Sequence, residues 1–180
     1  MTMRIALLRG VNVGGAKKVP MADLKAMVEA LGFTDVKTLL QSGNVVFDAG
    51  DRGDADLEAL LEREAEARLG LVTSFIVRGP QAWRAMIAAN PMPDEAGREP
   101  SRFIVNVARE PVTAEMLAMI RAAATSGEKV EAGDRCVYAF FGDGIADSKA
   151  ALVFGRKGLG LTSTGRNWNT VQKIAALIGA

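Results

Sequence analysis

The chain has 180 residues with nearly balanced charge, 22 Lys and Arg against 21 Asp and Glu, and 49% of its residues are apolar. That apolar content is enough for a sizeable core and excludes a disordered chain, and the net charge of +1 gives no general attraction to nucleic acid or an anionic membrane. The chain has no histidine and one cysteine, Cys136. These absences exclude His-based triads, imidazole bases, His- or cysteine-ligated metal sites and intramolecular disulfides. The acidic residues do not converge on one point in the sequence pattern, and we expect no metal centre and no cofactor.

The first half of the chain predicts the element order βαββαβ. Strands are expected at 4–9, 36–40, 45–48 and 71–77, and helices at 20–31 and 54–69. The helices follow from apolar residues at helical spacing, with a proline at the first start and a glycine after each end. Ser42 and Gly43 predict a tight hairpin between the second and third strands. The first strand is apolar on both faces, which is typical of a central strand.

The second half repeats this order. Gly79 and Pro80 break the chain before a short helix at 81–89 and a polar linker at 94–101. Strands are expected at 102–108, 129–131, 135–141 and 161–164, with helices at 113–124, 147–154 and 167–178. We therefore predict an α+β fold of two tandem ferredoxin-like βαββαβ units packed as one body, with a C-terminal helix. The predicted units are 1–79 and 102–180, joined by a helix and linker at 80–101.

A glycine-rich loop joins the first strand to the first helix. Gly10, Gly14 and Gly15 do not fit the dinucleotide-binding fingerprint. Gly10 to Gly15 has the spacing of a phosphate-binding P-loop, but Ala16 stands where the lysine belongs and no Ser or Thr follows Lys17. This argues against a nucleoside triphosphatase of that class.

The other features of this loop suit the binding of an anion. Glycines free backbone amides at a strand-to-helix turn, and Arg9, Lys17 and Lys18 lie close in sequence, which suits a phosphate or carboxylate. The alternative is a tight turn with solvated lysines.

A second polar element is the hairpin sequence QSGN. In a βαββαβ sheet it lies at the same edge as the glycine loop, so Gln41, Ser42 and Asn44 are expected beside Arg9 and the freed amides. The alternative is an ordinary hairpin turn.

A third polar segment is TSTGRNWNT, near the C-terminus. Asn167 is a good cap for the last helix, and Trp168 is expected to pack into the core. Arg166, Asn169 and Thr170 have no local partner in sequence, and a helix start preceded by arginine is an anion site in principle. We predict that the three segments form one site; the alternative is capping and packing.

These motifs together resemble a known family. LLRGVNVGG, VPMADL, LGFTDVKTLLQSGNVVF, Asn90-Pro91 and TGRNWNT are similar to the bacterial family of domains of unknown function numbered 1697. The resemblance covers nearly the whole chain and implies an α+β fold with ferredoxin-like parts. It brings no established activity. Relatives often carry a polar residue such as His or Asn where this chain has Ala16 and Lys17.

The residues favour a binding protein for a phosphorylated or other anionic small molecule, nucleotide-like among others. The predicted ligand-binding residues are Arg9, Asn12, Gly14, Gly15, Lys17, Lys18, Gln41, Ser42, Asn44, Arg166, Asn167, Asn169 and Thr170. The alternatives are a nucleic-acid-binding module or a protein-interaction module without catalysis. The strands lack the aromatic platform that RNA-binding sheets use, with only Phe47 in the third, which argues against nucleic acid.

The sequence leaves catalysis, ligand identity and oligomeric state open. Without histidine, an acid or base would have to be a carboxylate, lysine, tyrosine or water, and no catalytic residue is assigned. The chain has neither a signal-peptide pattern nor an apolar run of the ~20 residues that span a bilayer, so we expect a cytoplasmic protein without membrane partners.

Overall fold

The protein is a mixed α+β structure with two four-stranded antiparallel sheets. The structure, a computed structural model, describes residues 2–15 and 17–179. The chain divides into two compact units, Met1–Arg84 with Ile174–Ala180, and Ala85–Lys173. The predicted α+β class is confirmed. The predicted domain limits and the packing into one body stay predictions.

The first sheet carries its central strand where the sequence predicts it. The strands are β1 (Met3–Leu8), β2 (Thr34–Leu39), β3 (Asn44–Asp48) and β4 (Phe75–Arg78), in the order β2-β3-β1-β4, and the helices are α1 (Met21–Ala30) and α2 (Asp54–Leu69). One face of the sheet packs with both helices through buried residues such as Ala6, Leu8, Phe47, Leu24 and Leu61. The other face is buried too, through Ile5, Leu7, Val46 and Ile76.

The β2–β3 hairpin depends on one glycine. Its loop runs between the paired residues Leu39 and Asn44. Gly43 has φ +82°, and a Cβ there would lie 2.8 Å from Val11 Cγ2 and 2.9 Å from Leu8 Cβ. Only glycine fits both the left-handed backbone and the close approach of the glycine loop.

The second unit repeats the order of elements. After α3 (Pro80–Ala88) and α4 (Pro93–Arg98) come β5 (Phe103–Ala108), α5 (Ala114–Ala123), β6 (Lys129–Gly133) and β7 (Cys136–Phe140). They are followed by α6 (Lys149–Val153), a 3-10 turn at Lys157–Leu159, β8 (Ser163–Asn167) and α7 (Trp168–Leu177). The strand order is β6-β7-β5-β8. Helices α5 and α6 cover one face of this sheet through residues that include Ile120, Val153, Val137 and Phe141.

Three predicted elements were wrong in their limits. The expected linker at 94–101 contains most of α4, because Pro93 begins a helix whose first turn carries Asp94 and Glu95. β4 begins at Phe75 and not at 71, since the residues after α2 first close its end around Gly70. β8 extends beyond 164, so that Arg166 lies in a strand. In the described residues, no helix is long and apolar enough to cross a membrane.

Candidate functional site

The end of β1 is held at a fixed point, and the glycine loop starts from it. The Leu8 amide donates to the Gly43 carbonyl at 2.9 Å, and the Arg9 amide donates to the Ser74 carbonyl at 3.0 Å. The Thr73 hydroxyl donates to the Arg9 carbonyl at 2.6 Å. The backbone at Arg9 is therefore tied to both neighbouring strand connections.

Asn12 joins the glycine loop to the β2–β3 hairpin. Its Nδ2 donates to the Gln41 carbonyl at 2.8 Å and to the Val19 carbonyl at 3.0 Å, while its Oδ1 accepts from the Val19 amide at 2.9 Å. The Asn12 amide donates to the Lys17 carbonyl at 3.1 Å, which closes the loop on itself. The structure thus brings the two predicted segments together, and Asn12 does so as a clamp.

A cleft of about 420 Å³ opens beside this clamp. Its lining comes from the glycine loop, the start of α1 and the hairpin, through Asn12, Gly15, Lys18, Val19, Pro20 and Gln41. A volume of several hundred Å³ is the usual size of a small-molecule site.

Backbone donors are available at this cleft. Within residues 2–15 and 17–179, the amides of Gly14, Gly15 and Lys18 donate to no protein acceptor; Gly15 and Lys18 line the cleft, and Gly14 directly precedes them in the loop. Both glycines are exposed, with left-handed φ values of +58° and +80°. Freed amides in a turn of this kind form an anion-binding concavity.

The start of α1 adds to the positive potential. Pro20 occupies the N-cap position and supplies no side-chain acceptor, so the first amides of α1 have no side-chain cap. The helix dipole places partial positive charge at this end, although Asp23 in the first turn offsets part of it. An anion would supply the missing acceptor.

The two lysines differ in position. Both side chains are exposed, but only Lys18 lines the cleft. In the described part of the chain neither lysine is paired with a carboxylate. Arg9 is half-buried and does not line the cleft. Ala16, which stands at the P-loop lysine position in the sequence, lies outside the described residues.

Two hairpin residues have structural bonds of their own. Asn44 is fully buried, and its Nδ2 donates to the Leu39 carbonyl at 2.7 Å and to Ser42 Oγ at 2.9 Å. Asn44 therefore holds the hairpin closed from inside and is not accessible to a ligand. Gln41 is exposed and contributes both a wall of the cleft and the acceptor for Asn12.

The C-terminal motif lies in the second unit and has partners there. The Asn167 Oδ1 accepts from the amide and the hydroxyl of Thr170, both at 3.0 Å, which confirms the predicted cap of α7. Trp168 packs edge-on against Phe103, with ring centroids 5.5 Å apart, and Asn169 is exposed. Joining this motif and the glycine loop in one site stays a prediction.

Arg166 is a buried strand residue. It is 5% exposed, and its Nη1 donates to Thr164 Oγ1 and to the Gly165 carbonyl, each at 2.8 Å. Burial lowers the pKa of its guanidinium to about 10, so the side chain is still charged at neutral pH.

The same arginine occurs at the equivalent position of the first unit. Arg78 pairs with Ile5 of β1, as Arg166 pairs with Val105 of β5, and it is also buried. Its Nη1 also donates to the preceding carbonyl, that of Val77, at 2.6 Å. A repeated residue with a repeated bond indicates a feature of the strand architecture that both units share.

A larger cleft, about 530 Å³, lies in the second unit among Met92, Arg121 and Lys129. Both of its cationic side chains are already paired with carboxylates. Arg121 Nη2 lies 2.8 Å from Glu131 Oε2, and Lys129 forms an ion pair with Glu95 and so lowers the pKa of that carboxyl. In the part of the chain described, no group of three or more acidic or cysteine side chains is arranged to hold a metal ion.

Two features of this region were not predicted from the sequence: part of the lining of the cleft, and the residues that hold the strand end behind it. Val19 and Pro20 line it, and Thr73 and Ser74 fix the strand end from which the loop departs. Pro20 directly before α1 was a usable signal, because a proline at the N-cap position leaves a helix start without a side-chain cap.

Comparisons with known proteins concern family and fold. The sequence model of the family described as "Protein of unknown function (DUF1697)" matches residues 1–138. Among solved structures, the chain is similar to the conserved bacterial protein SP0830 from Streptococcus pneumoniae, with a TM-score of 0.79 and 22% sequence identity over 98% of each chain. That similarity concerns the fold alone. No curated protein matches the chain.

Proposed function

Because the chain belongs to the DUF1697 family, whose description assigns no activity, we propose a function from its own residues: it binds a phosphorylated or other anionic small molecule of nucleotide-like chemistry. The observation that carries this proposal is the cleft at which freed amides, an uncapped helix start and the Lys18 ammonium meet. Each of the three favours an anion. The ligand contacts assigned here are the amides of Gly14, Gly15 and Lys18 with the side chains of Lys18 and Gln41. No catalytic residue is assigned.

The size and lining of the cleft favour a molecule larger than an inorganic ion. Val19 and Pro20 offer apolar surface next to the amides, and Val13 nearby in the loop is 64% exposed. A phosphate on an organic group matches such a surface better than phosphate alone, since the apolar part of the ligand leaves water.

A nucleic-acid module is the weaker alternative. RNA-binding sheets of this strand order present an open face with aromatic side chains on which bases stack. Here Ile5, Leu7, Val46 and Ile76, on the face away from α1 and α2, are all fully buried. An extended strand of nucleic acid has no open sheet face to lie on in the first unit.

We also propose that both units are ferredoxin-like and arose as a tandem repeat. In support, both have the order βαββαβ and place the first and third strands at the centre of the sheet. The buried arginines Arg78 and Arg166 at one register position add a side-chain correspondence. An experimental structure in which the two sheets fail to superpose strand by strand would contradict this.

The binding proposal is tested by calorimetric titration with pyrophosphate, ADP and a short single-stranded RNA. We expect saturable binding of ADP and pyrophosphate at one site and none of the RNA. Lys18→Gln should weaken ADP binding about tenfold or more, as expected for the loss of one charge-assisted hydrogen bond.

The matched control is Lys37→Gln. Lys37 is an exposed lysine of β2 that does not line the cleft, and its replacement makes the same change in net charge. If both variants lose affinity equally, binding is general electrostatics and the proposal fails. It fails too if neither ADP nor pyrophosphate binds at millimolar concentration.

A further inference from the structure

A second cavity, about 260 Å³, lies within the second unit between the sheet and α6. Its apolar lining consists of Ile104, Phe141, Ile145, Ala151 and Phe154. No charged side chain of the described residues lines it. This cavity therefore suits a neutral ligand, whereas the cleft at Lys18 suits an anion.

One polar side chain lines this apolar cavity. Asn106, in the middle of β5, is 6% exposed. Its Nδ2 is fully buried and finds no acceptor among the residues that the structure describes. A buried donor without a partner is costly, and native proteins rarely keep one without a reason.

A hydroxyl on the same sheet face also lacks a hydrogen-bond partner among the described residues. Ser163 pairs with Ala108 while Gly165 pairs with Asn106, so Ser163 and Asn106 belong to one face of adjacent strands. Ser163 is 4% exposed, and its Oγ also has no partner among the described residues. Two such polar groups on one face indicate that the property belongs to this part of the sheet and not to one residue.

In the first unit, apolar side chains fill the position that Asn106 and Gly165 occupy in the second. There the equivalent pair is Ala6 and Val77, both fully buried in a continuous apolar core. In the second unit the pair is Asn106 and Gly165, and a Cβ on Gly165 would lie 3.0 Å from both Asn106 Oδ1 and Ile104 Cγ2. Glycine at 165 therefore makes room for the larger asparagine beside it, and the exchange of alanine for asparagine brings one hydrogen-bonding group to a face that is apolar at this position in the first unit.

We propose that this cavity is a binding site for a small, neutral, mainly apolar molecule that presents one hydrogen-bond acceptor to Asn106 Nδ2. An apolar cavity of about 150 Å³ is enough for benzene, so this one has room for a substituted ring. Ile145, on the loop before α6, lines the cavity and is 48% exposed, which gives the cavity a side open to solvent. This site is separate from the proposed anion cleft, and neither depends on the other.

The test uses two compounds of nearly equal shape. Acetophenone carries a carbonyl acceptor, and α-methylstyrene has a methylene group in its place. Each is titrated into the full ¹⁵N-labelled chain while the side-chain amide signals are followed. We expect acetophenone to shift the Asn106 amide signal and to bind about fivefold more tightly than α-methylstyrene, the effect of one neutral hydrogen bond.

Three variants make the result decisive. Asn106→Leu should remove the preference between the two compounds, and Ala151→Leu, which fills the cavity, should abolish the binding of both. Leu152→Ala is the control, because Leu152 is a 63% exposed residue of the same helix that does not line the cavity. It should leave both affinities unchanged.

The proposal is overturned if neither compound binds up to its solubility, which would mean that water alone satisfies Asn106. Equal affinities without a shift of the Asn106 signal overturn it as well. That signal is measured on the unmodified chain, so the test holds even if Asn106→Leu fails to fold.

Discussion

The two units have equivalent strand orders, and they differ in the segment that follows the first strand of each. In the first unit, the Leu8 amide donates to the Gly43 carbonyl and the Arg9 amide to the Ser74 carbonyl. In the second, the Ala108 amide donates to the Arg135 carbonyl and the Arg109 amide to the Thr162 carbonyl. The same two backbone bonds thus anchor the end of the first strand in both.

The two units differ in length and composition in the segment between the first strand and the helix that follows it. In the second unit it runs only from Arg109 to Thr113, and Thr113 caps α5 by accepting from the Met116 amide at 3.2 Å. In the first unit it runs from Arg9 to Pro20, carries the glycines and lysines, and leaves α1 without a side-chain cap. The longer loop is the part of the first unit that builds the candidate anion site.

Each unit also ties this segment to its neighbouring hairpin with a side chain. In the first, Asn12 bonds the Gln41 carbonyl. In the second, Arg135 donates through Nε and Nη2 to the Arg109 carbonyl, at 2.9 and 2.7 Å. The comparison indicates that the tie is general, whereas the glycines and lysines of this segment occur only in the first unit.

The largest expected effect is on the hairpin glycine of the first unit. Gly43→Ala should lower the free energy of unfolding by about 3 kcal/mol, because it adds a clash with Val11 and Leu8 to an unfavourable positive φ. Urea unfolding of the full chain measures it. Gly14→Ala is the control: φ is +58° there, but no atom lies within 4 Å of the new Cβ. Only the backbone cost of about 1 kcal/mol should remain, and equal losses would show that the close approach is not tight.

The Asn12 clamp comes next. Asn12→Ala removes three hydrogen bonds and leaves the Val19 amide without its acceptor, so we expect a loss of about 2 kcal/mol. Asn12→Asp keeps the acceptor for Val19 but sets a carboxylate oxygen against the Gln41 and Val19 carbonyl oxygens, so its loss should be at least as large in the same measurement. Stability unchanged in both variants would mean that the two segments are held together by other contacts.

A third prediction concerns a titrating group that only the second unit carries. Tyr138 of β7 takes the position of Val46 in β3, and its hydroxyl donates to the Met86 carbonyl at 2.6 Å. Burial, above all, and the neighbouring Cys136 thiol raise the pKa of Tyr138 well above its ordinary value. A raised pKa means that the folded state favours the neutral phenol, so this contribution is complete below about pH 10 and is lost as the pH rises beyond it.

Tyr138→Phe tests both parts of that statement. At neutral pH we expect a loss of about 1 kcal/mol for the missing hydrogen bond. Above about pH 10 the unmodified chain should lose stability more steeply than the variant, as measured by urea midpoints across the alkaline range. Parallel curves would contradict the assignment to Tyr138.

The smallest expected effect is on the cap that the first unit lacks. Thr113→Ala should destabilise the chain by about 0.5 kcal/mol, at the low end for an N-cap because Thr113 is exposed. Thr113→Ser keeps the hydroxyl and should restore most of that loss in thermal unfolding. No difference between the two variants would mean that the bond to Met116 contributes nothing.

Element order was predictable from the sequence because it depends on local patterns. Apolar spacing located the long helices, Gly70 marked the end of α2, and Asn167 was recognised as a cap from its own neighbourhood. α4 was missed because its polar residues also suit a linker.

The roles of individual polar residues were not predictable in the same way, since they depend on distant partners. Asn12 and Asn44 look alike in sequence. One binds the Gln41 carbonyl across the glycine loop, and the other is buried inside its own hairpin. Arg166 was predicted to face a ligand, but the register of β8 buries it at the position that Arg78 occupies in β4, where it bonds Thr164 and Gly165.

The central claim is that the glycine loop of the first unit is an anion site that the second unit lacks. The most direct test is a titration of the ¹⁵N-labelled chain with pyrophosphate, in which backbone amide shifts are followed residue by residue. We expect saturating shifts at Gly14, Gly15 and Lys18 and none from Glu110 to Thr113. Equal shifts in both segments, or none at the glycine loop, would contradict it.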